Sequence, residues 1–372
     1  MTGKATLVID GRTYEGWEAV SVSRTIEALS GSFDLALADH GPDGEVSLAL
    51  TDGSACRVLI DGELVITGYL DKRTYTLNEN DHPITVSGRD KAGDLDDCAA
   101  LNQPGEWKHQ KLETIAADLV APFGISISTQ VDTGPVFDSF QLEQEETVQR
   151  ALERMAKLRG VLIYADASGN LVINRAGLGL QATAVVEGQN LLSGQSEFDS
   201  GERFGQIYVK GQQAGTKTKR GKALSQVKAS ATDSDIGRYR PLLIVAEGQI
   251  DTAKAQRRAQ WEVARRRGRS RRANVSVQGW RHGGNSGPLW AVNQLVRVIA
   301  PSLGLNDLFT VGSVTFRQGS QGGGTVTTLD LAPPEAFEPD PDDVLKDVRK
   351  AQAAQAAKSK KTQAAKAKIK GP

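Results

Sequence analysis

"VLIDGELVITGYLDKRTYTLNENDHPITVSGRDKAGDLDDC", residues 58–98, sets the pattern for the N-terminal region. Val58 and Ile60 alternate with other residues, Asp61-Gly62 interrupts, and Leu64 and Ile66 resume the alternation. A period of two marks strands with one buried face. An Asp-Gly pair tolerates the positive φ that a two-residue hairpin requires. The stretch therefore predicts a hairpin, a turn at Asn80-Asp81, and a further strand through Ile84 and Val86.

The same pattern continues outward. Leu7 and Ile9, Val20 and Val22, Phe33 to Leu37, and Val46 to Leu50 alternate in the same way, with turn chemistry at Asp10-Gly11 and between Gly41 and Gly44. Roughly seven strands without a helix predict a small antiparallel barrel or sandwich. Between residues 93 and 177 the period changes. Leu112, Ile115, Ala116, Leu119 and Val120 have helical spacing and stop at Pro122 and Gly124. Val148, Ala151, Leu152, Met155 and Leu158 form a second stripe, with Glu145 and Glu146 before it, Arg154, Lys157 and Arg159 near its end, and Gly160 after it. Acid first, base last and glycine as the C-cap fit the helix dipole and the αL stop. VLIYA, a turn at 166–170 and LVINR then read as a hairpin.

Strand patterns return from about Gln181: FGQIYVKG, KALSQVKAS, RANVSVQG, QLVRVIA, LFTVGSVTF and GTVTTLDL, interrupted by one helix at 251–268. The expected fold is mainly β with α/β insertions. Two antiparallel, barrel-like domains (1–92 and 178–335) flank a small α/β module (93–177), and a flexible acidic-then-basic, Ala/Lys-rich tail follows (336–372). The tail has helix propensity but no apolar stripe to bury.

Composition excludes several function classes. Across 372 residues, 45 basic and 45 acidic side chains cancel, so any electrostatic function must be local. No apolar run reaches the length of a membrane span. The opening MTGKATLVIDGRTYEG lacks the layout of a signal peptide and reads as folded structure. Cys56 and Cys98 are too few for a disulfide framework and read as free thiols in a chain made in the cytoplasm.

The search for catalytic chemistry finds little. His40, His82, His109 and His282 are scattered, with no metal-ligand spacing and no C-x-x-C. The glycine-rich stretches HGGNSG (282–287) and QGSQGGGT (318–325) lie between strand patterns and open no helix, so they read as loop tips. No cofactor or metal is expected. Asp94, Asp96 and Asp97 are the one candidate for paired-carboxylate work, against the alternative of a polar helix cap. Trp17, Trp107, Trp280 and Trp290 read as core or subunit anchors.

The densest charge is RRAQWEVARRRGRSRR (257–272), with Arg257, Arg258, Arg265, Arg266, Arg267, Arg269, Arg271 and Arg272. On a helical wheel Ala255, Ala259 and Val263 form the inward stripe and the arginines wrap around the helix. A sequence-specific nucleic-acid reader would present one clean basic face. The patch reads as an exposed basic face or as a contact with an acidic partner, another subunit or a phosphate backbone.

Three stretches carry a family resemblance: WEAVSVSRTIEALSGSFDLAL (17–37), the 58–98 segment, and LERMAKLRGVLIYADASGNLVINR (152–175). Together they resemble the baseplate hub proteins of contractile phage tails, the Mu-like tail protein P family, over about residues 1–335. The resemblance implies a non-enzymatic virion protein of the tail baseplate, assembled in the host cytoplasm. It implies a homotrimer whose two β-domains per chain alternate around a ring, adapting a trimeric spike to a hexameric tail tube and nucleating tube assembly, with DNA passing through the ring. The alternatives are a cell-wall glycosidase working through Asp94–Asp97 and a non-specific nucleic-acid-binding protein using the arginines and the lysine tail.

Overall fold

The computed structural model describes residues 3–38, 50–77, 83–177, 179–180, 183–212, 227–249, 252–284, 286–319 and 324–337. The strand expected at Val46 and Leu48, the turns at Gly41–Gly44 and Asn80-Asp81, His40, His82 and the tail from residue 338 lie outside the described residues.

The N-terminal strands form in the expected order. Ala5–Ile9 and Ala55–Ile60 pair antiparallel, each closing a hairpin at its Asp-Gly turn. Asp10 and Asp61 take φ of 50° and 49°, and Gly11 and Gly62 take 76° and 81°. Two successive positive φ values are what a type I′ turn needs, and Asp-Gly adopts them at low cost. Glu63–Tyr75, Pro83–Asp90, Ser32–Ala38 and Ala19–Thr25 continue the sheet. Arg12–Tyr14, a short edge strand, has too few residues to show in the apolar pattern.

The sheet does not stop at Ala19–Thr25. That strand pairs antiparallel with Leu305–Gln318, setting Val22 opposite Phe316 and Val20 opposite Gln318. Beyond this seam come Val326–Ala332, Arg271–Gln278 and Leu191–Phe198, while Gln294–Ala300 pairs with Leu305–Gln318 and takes two short parallel strands, Gly179–Leu180 and Val185–Val186. The two β regions thus share one hydrogen-bonded sheet and one core, in which Val22, Phe33 and Ile66 from the first meet Val275, Phe309 and Phe316 from the second. Trp17, Trp280 and Trp290 lie in that core. Arg281 ties the regions again, its Nη1 2.5 Å from Glu63 Oε1 and its Nε 3.4 Å from Asp61 Oδ2. At the far edge Leu191–Phe198 is largely exposed, and Ser196 Oγ donates to Leu303 O of the 301–303 turn at 2.7 Å.

The α/β module has its own core. Helices α1 (Gly93–Asp97), α2 (Leu112–Val120) and α3 (Val148–Arg159) pack with the Leu162–Ala165/Leu171–Asn174 hairpin and its parallel neighbour Ile127–Thr129. Thr147 Oγ1 accepts the Arg150 N–H at the start of α3, and Gly160 ends it in the αL region at φ 68°. The module is keyed into the main sheet from both sides. Leu29 enters the module core, and Tyr164 and Val172 enter the sheet core. Arg24 Nη2 donates to Ala165 O at 2.8 Å. The buried Asp90 accepts the N–H groups of Gly31 and Ala92 at 2.6 and 3.0 Å.

FGQIYVKG and KALSQVKAS depart from expectation. Their described residues belong to a separate three-stranded sheet, with Gln206–Gln212 central, Val227–Thr232 antiparallel to it and Pro241–Gln249 parallel, and 222–226 lie outside the described residues. Helix α4 (Thr252–Arg269) covers one face through Ala255 and Ala259, against Val209, Val227 and Ala229. Alternation reports that a strand is half buried and is silent about which sheet buries it. Gly268 lies inside α4. A Cβ there would sit 2.5 Å from Ala336 N, so glycine allows the helix to touch the Pro334–Ala336 turn.

Candidate interaction surface

α4 presents small residues to its sheet, so its long side chains fall on the other faces. Ala255 and Ala259 are fully buried as the wheel predicts, but Trp261 and Glu262 are the further buried side chains, and Val263 is only half-buried. A buried carboxylate in mid-helix requires cationic partners. Glu262 has two, each four residues away: Arg258 Nη2 at 3.2 Å and Arg266 Nε at 3.1 Å. Arg266 also reaches Glu202 Oε2 at 3.2 Å.

A second network joins α4 to its sheet. Asp233, 2% exposed, receives Arg203 at 2.7 Å and Arg267 at 3.2 Å, and Asp235 receives the same two guanidiniums at 2.8 and 2.9 Å. The hydrogen bond from Arg203 holds the Asp235 carboxyl below its ordinary range. Past the helix, Arg271 pairs with Asp307 at 2.6 Å and Arg272 with Glu27 at 3.6 Å across the seam.

Five of the eight arginines singled out from the sequence, Arg258, Arg266, Arg267, Arg271 and Arg272, are therefore committed to carboxylates of this chain. Arg257, Arg265 and Arg269 form no salt bridge among the described residues. Arg265 lies over the Trp261 ring, 4.9 Å from its centroid. Burial, with the nearby Arg269 charge, lowers its affinity for the proton. Arg265, Arg266 and Arg269 border a cleft of about 280 Å³ with Asp199, Glu202 and Glu262. The expected basic patch is thus a nearly balanced charge lattice with three arginines outside its ion pairs, of which Arg269 is exposed and Arg257 and Arg265 are half-buried. Sequence reasoning missed Arg203, Asp233 and Asp235, which lie outside the arginine-rich run and carry no local signal.

The other candidates are placed as follows. Asp94 and Asp97 lie on the single turn of α1. Asp97 is bound by Arg89 at 2.6 Å, and Arg89 also reaches Asp71 at 2.9 Å. Burial raises Asp94, while the Arg89 hydrogen bond lowers Asp97. Asp96 is exposed. Asp97, Arg89 and Asp71 thus form a structural ion-pair chain that ties α1 to the sheet. His282 is buried against Trp290, ring centroids 5.3 Å apart, and burial lowers its pKa. Among the described residues no group of three or more His, Cys, Asp and Glu side chains is arranged to hold a metal ion.

Comparison with known proteins gives consistent matches along the chain. Four family models match in succession: the N-terminal domain of the Mu phage baseplate assembly protein GpP-like group at 4–90, the second domain of baseplate hub protein gp44-like proteins at 92–175, the third domain of NMB1110-like tail proteins at 203–261, and the fourth domain of Mu phage baseplate assembly protein GpP at 251–340. The baseplate hub protein gp44 of Escherichia phage Mu is 37% identical over 345 residues, 91% of this chain and 89% of that protein. The 43 kDa tail protein of prophage MuSo2 from Shewanella oneidensis is 36% identical, with a TM-score of 0.80 over 90% of this chain and 99% of its own. A tail protein from Neisseria meningitidis MC58, 22% identical, shares the fold with a TM-score of 0.75 over 92% of this chain and all of its own.

Proposed function

This chain belongs to the family of Mu-type phage baseplate hub proteins, a component of the virion tail, and from that premise we propose that it is the trimeric adaptor of a contractile tail. Three copies close a ring of six β lobes, two per chain, that meets a threefold spike on one side and the sixfold tail tube on the other, where it nucleates tube assembly. The observation that carries this reading is the seam between Ala19–Thr25 and Leu305–Gln318. It holds the first and last β regions side by side, as neighbouring lobes of a ring require. A cyclic trimer uses two different surfaces of each chain, closing after three copies. The chain divides into the lobes 1–92 and 178–335, the module 93–177 and the tail 336–372, with the small sheet and α4 as a layer set on the second lobe.

Its role is structural: Asp97 is held by Arg89, and the relatives are named as hub and tail proteins. The three open arginines, Arg257, Arg265 and Arg269, are the part of the patch available to another subunit, the tube, the spike or DNA in the ring. Light scattering coupled to size-exclusion chromatography tests the assembly: a trimer is expected, and a compact monomer overturns it. Charge reversal at Arg257, Arg265 and Arg269, none of which is in an intrachain ion pair among the described residues, is expected to impair trimerisation or tube docking; intact assembly and infectivity would remove the patch from the mechanism. Clearing of peptidoglycan by the purified chain, lost on changing Asp94, Asp96 and Asp97 to asparagine, would establish the enzymatic alternative.

A further inference from the structure

The end of α4 and the 199–202 segment enclose the cleft of about 280 Å³ bordered by Arg265, Arg266, Arg269, Asp199, Glu202 and Glu262. Its carboxylates are largely occupied. Glu262 pairs with Arg258 and Arg266, and Glu202 with Arg266 again. Asp199 Oδ1 accepts the Gly201 N–H at 2.6 Å, closing its own turn. Arg265 and Arg269 border the same cleft four residues apart, outside these ion pairs. Like charges at that spacing on a helix repel. The helix dipole offsets this for Arg269, which lies in the last turn of α4, but the effect falls off within that turn and does less for Arg265. Arg265 is half-buried and is placed by the ring of Trp261, itself only 8% exposed. A guanidinium stacked on an aromatic face keeps its planar N–H edge for a carboxylate, and a partly buried charge without a counter-charge is costly.

We propose that this cleft takes one carboxylate side chain from another polypeptide of the assembled tail, which pairs with Arg265 and Arg269. Two observations favour a carboxylate over a nucleic-acid backbone. The cleft has room for a side chain and not for a duplex. Glu202, its side chain 85% exposed at the border, and Asp199 oppose a run of phosphates, whereas a single carboxylate is matched by the two arginines outside the ion pairs. The proposal deepens the reading of the arginine patch and rests on membership of the tail. It is independent of the trimer: a monomer in light scattering leaves the cleft's role standing, and a trimer with an empty cleft does the reverse.

Arg269→Lys keeps the cation and adds an amine that a carbodiimide joins to a carboxylate in direct contact. Tails assembled with this full-length variant and treated with carbodiimide are expected to give, by mass spectrometry, an isopeptide link from residue 269 to an Asp or Glu of another polypeptide. A covalent pair of identical chains on a denaturing gel, formed also by the purified variant and not by the wild type, identifies the source as a second copy; an adduct formed only in tails identifies a different tail protein. A link confined within one chain, or none, overturns the proposal. Separately, Arg269→Glu is expected to lower incorporation into tails about tenfold while the purified chain keeps its circular dichroism and thermal transition, since Arg269 is exposed. Changing the linked carboxylate to lysine is expected to restore incorporation. Wild-type incorporation of Arg269→Glu, or failure of that rescue, overturns the proposal. So does retention of a short DNA duplex by the purified chain that Arg269→Glu abolishes, which would assign the arginines to a phosphate backbone.

Discussion

The seam of the main sheet and the layer built on α4 solve one problem by opposite means. At the seam Val22 faces Phe316 across a ladder, and the core around them holds fully buried Phe33, Phe309 and Phe316. In the layer the core is small: Val209, Val227, Ala229, Ala255 and Ala259. What that core lacks in apolar area, the Arg203–Asp233–Arg267–Asp235 network supplies. Burial of large side chains gives stability that varies little with pH, whereas a charge network fixes position and depends on both pH and ionic strength. One part of the molecule is therefore a rigid frame, and the other is a small layer whose helix and sheet are tied together by charge.

Substitutions at matched positions test that contrast. Phe316→Ala removes a buried ring from the seam and is expected to cost about 3–5 kcal/mol in denaturant titration, against about 2 kcal/mol for Val209→Ala in the layer. Equal losses would break the contrast. Asp233→Ala leaves Arg203 half-desolvated without its main partner and is expected to cost about 3 kcal/mol. Hydrogen exchange should then rise in α4 and Gln206–Gln212 while Ala5–Ile9 stays protected; uniform loosening would mean that the two parts unfold as one.

Asp90, at the joint between frame and module, gives the third test. Burial pushes its carboxyl up to about 6, from the ordinary value of 3.8. The folded chain thus binds a proton more tightly than the unfolded chain. The associated stability is present below about pH 4 and is lost as pH rises through 6. About two pH units at ~1.4 kcal/mol each give a decrease on the order of 2–3 kcal/mol over that window. Asp90→Asn should flatten this slope in urea titrations from pH 4 to 7; an unchanged slope places its origin elsewhere. The smallest effect is expected from Arg272→Ala, whose pair with Glu27 is exposed on both sides: below about 0.5 kcal/mol. A larger loss would mean that charge also secures the seam.

The pattern of what could be read from the sequence follows from the same physics. Asp10-Gly11, Asp61-Gly62, Thr147 and Gly160 act within a few residues of themselves, so the hairpins and the ends of α3 were legible. The partnership of Val22 with Phe316 was not, because alternation marks a buried face and carries no address. The small sheet was merged with the second β region for that reason. The arginines were visible as a run with Glu262 four residues from Arg258 and Arg266 inside it, but their other neutralisers Glu202, Asp233 and Asp307 come from distant turns and strands. A guanidinium that will meet a buried carboxylate and one that will face water read alike along the chain.

The seam also sets the order in which the molecule can be made. Ser23 and Thr315 touch across it, and they are 292 residues apart. At about 5–20 residues per second, a ribosome needs on the order of 15–60 seconds to go from one to the other. For that interval the nascent N-terminal sheet exposes the border of Ala19–Thr25 with its partner still unsynthesised. Until its partner arrives that border is open to mispairing, and a chaperone or slow local folding has that interval in which to protect it.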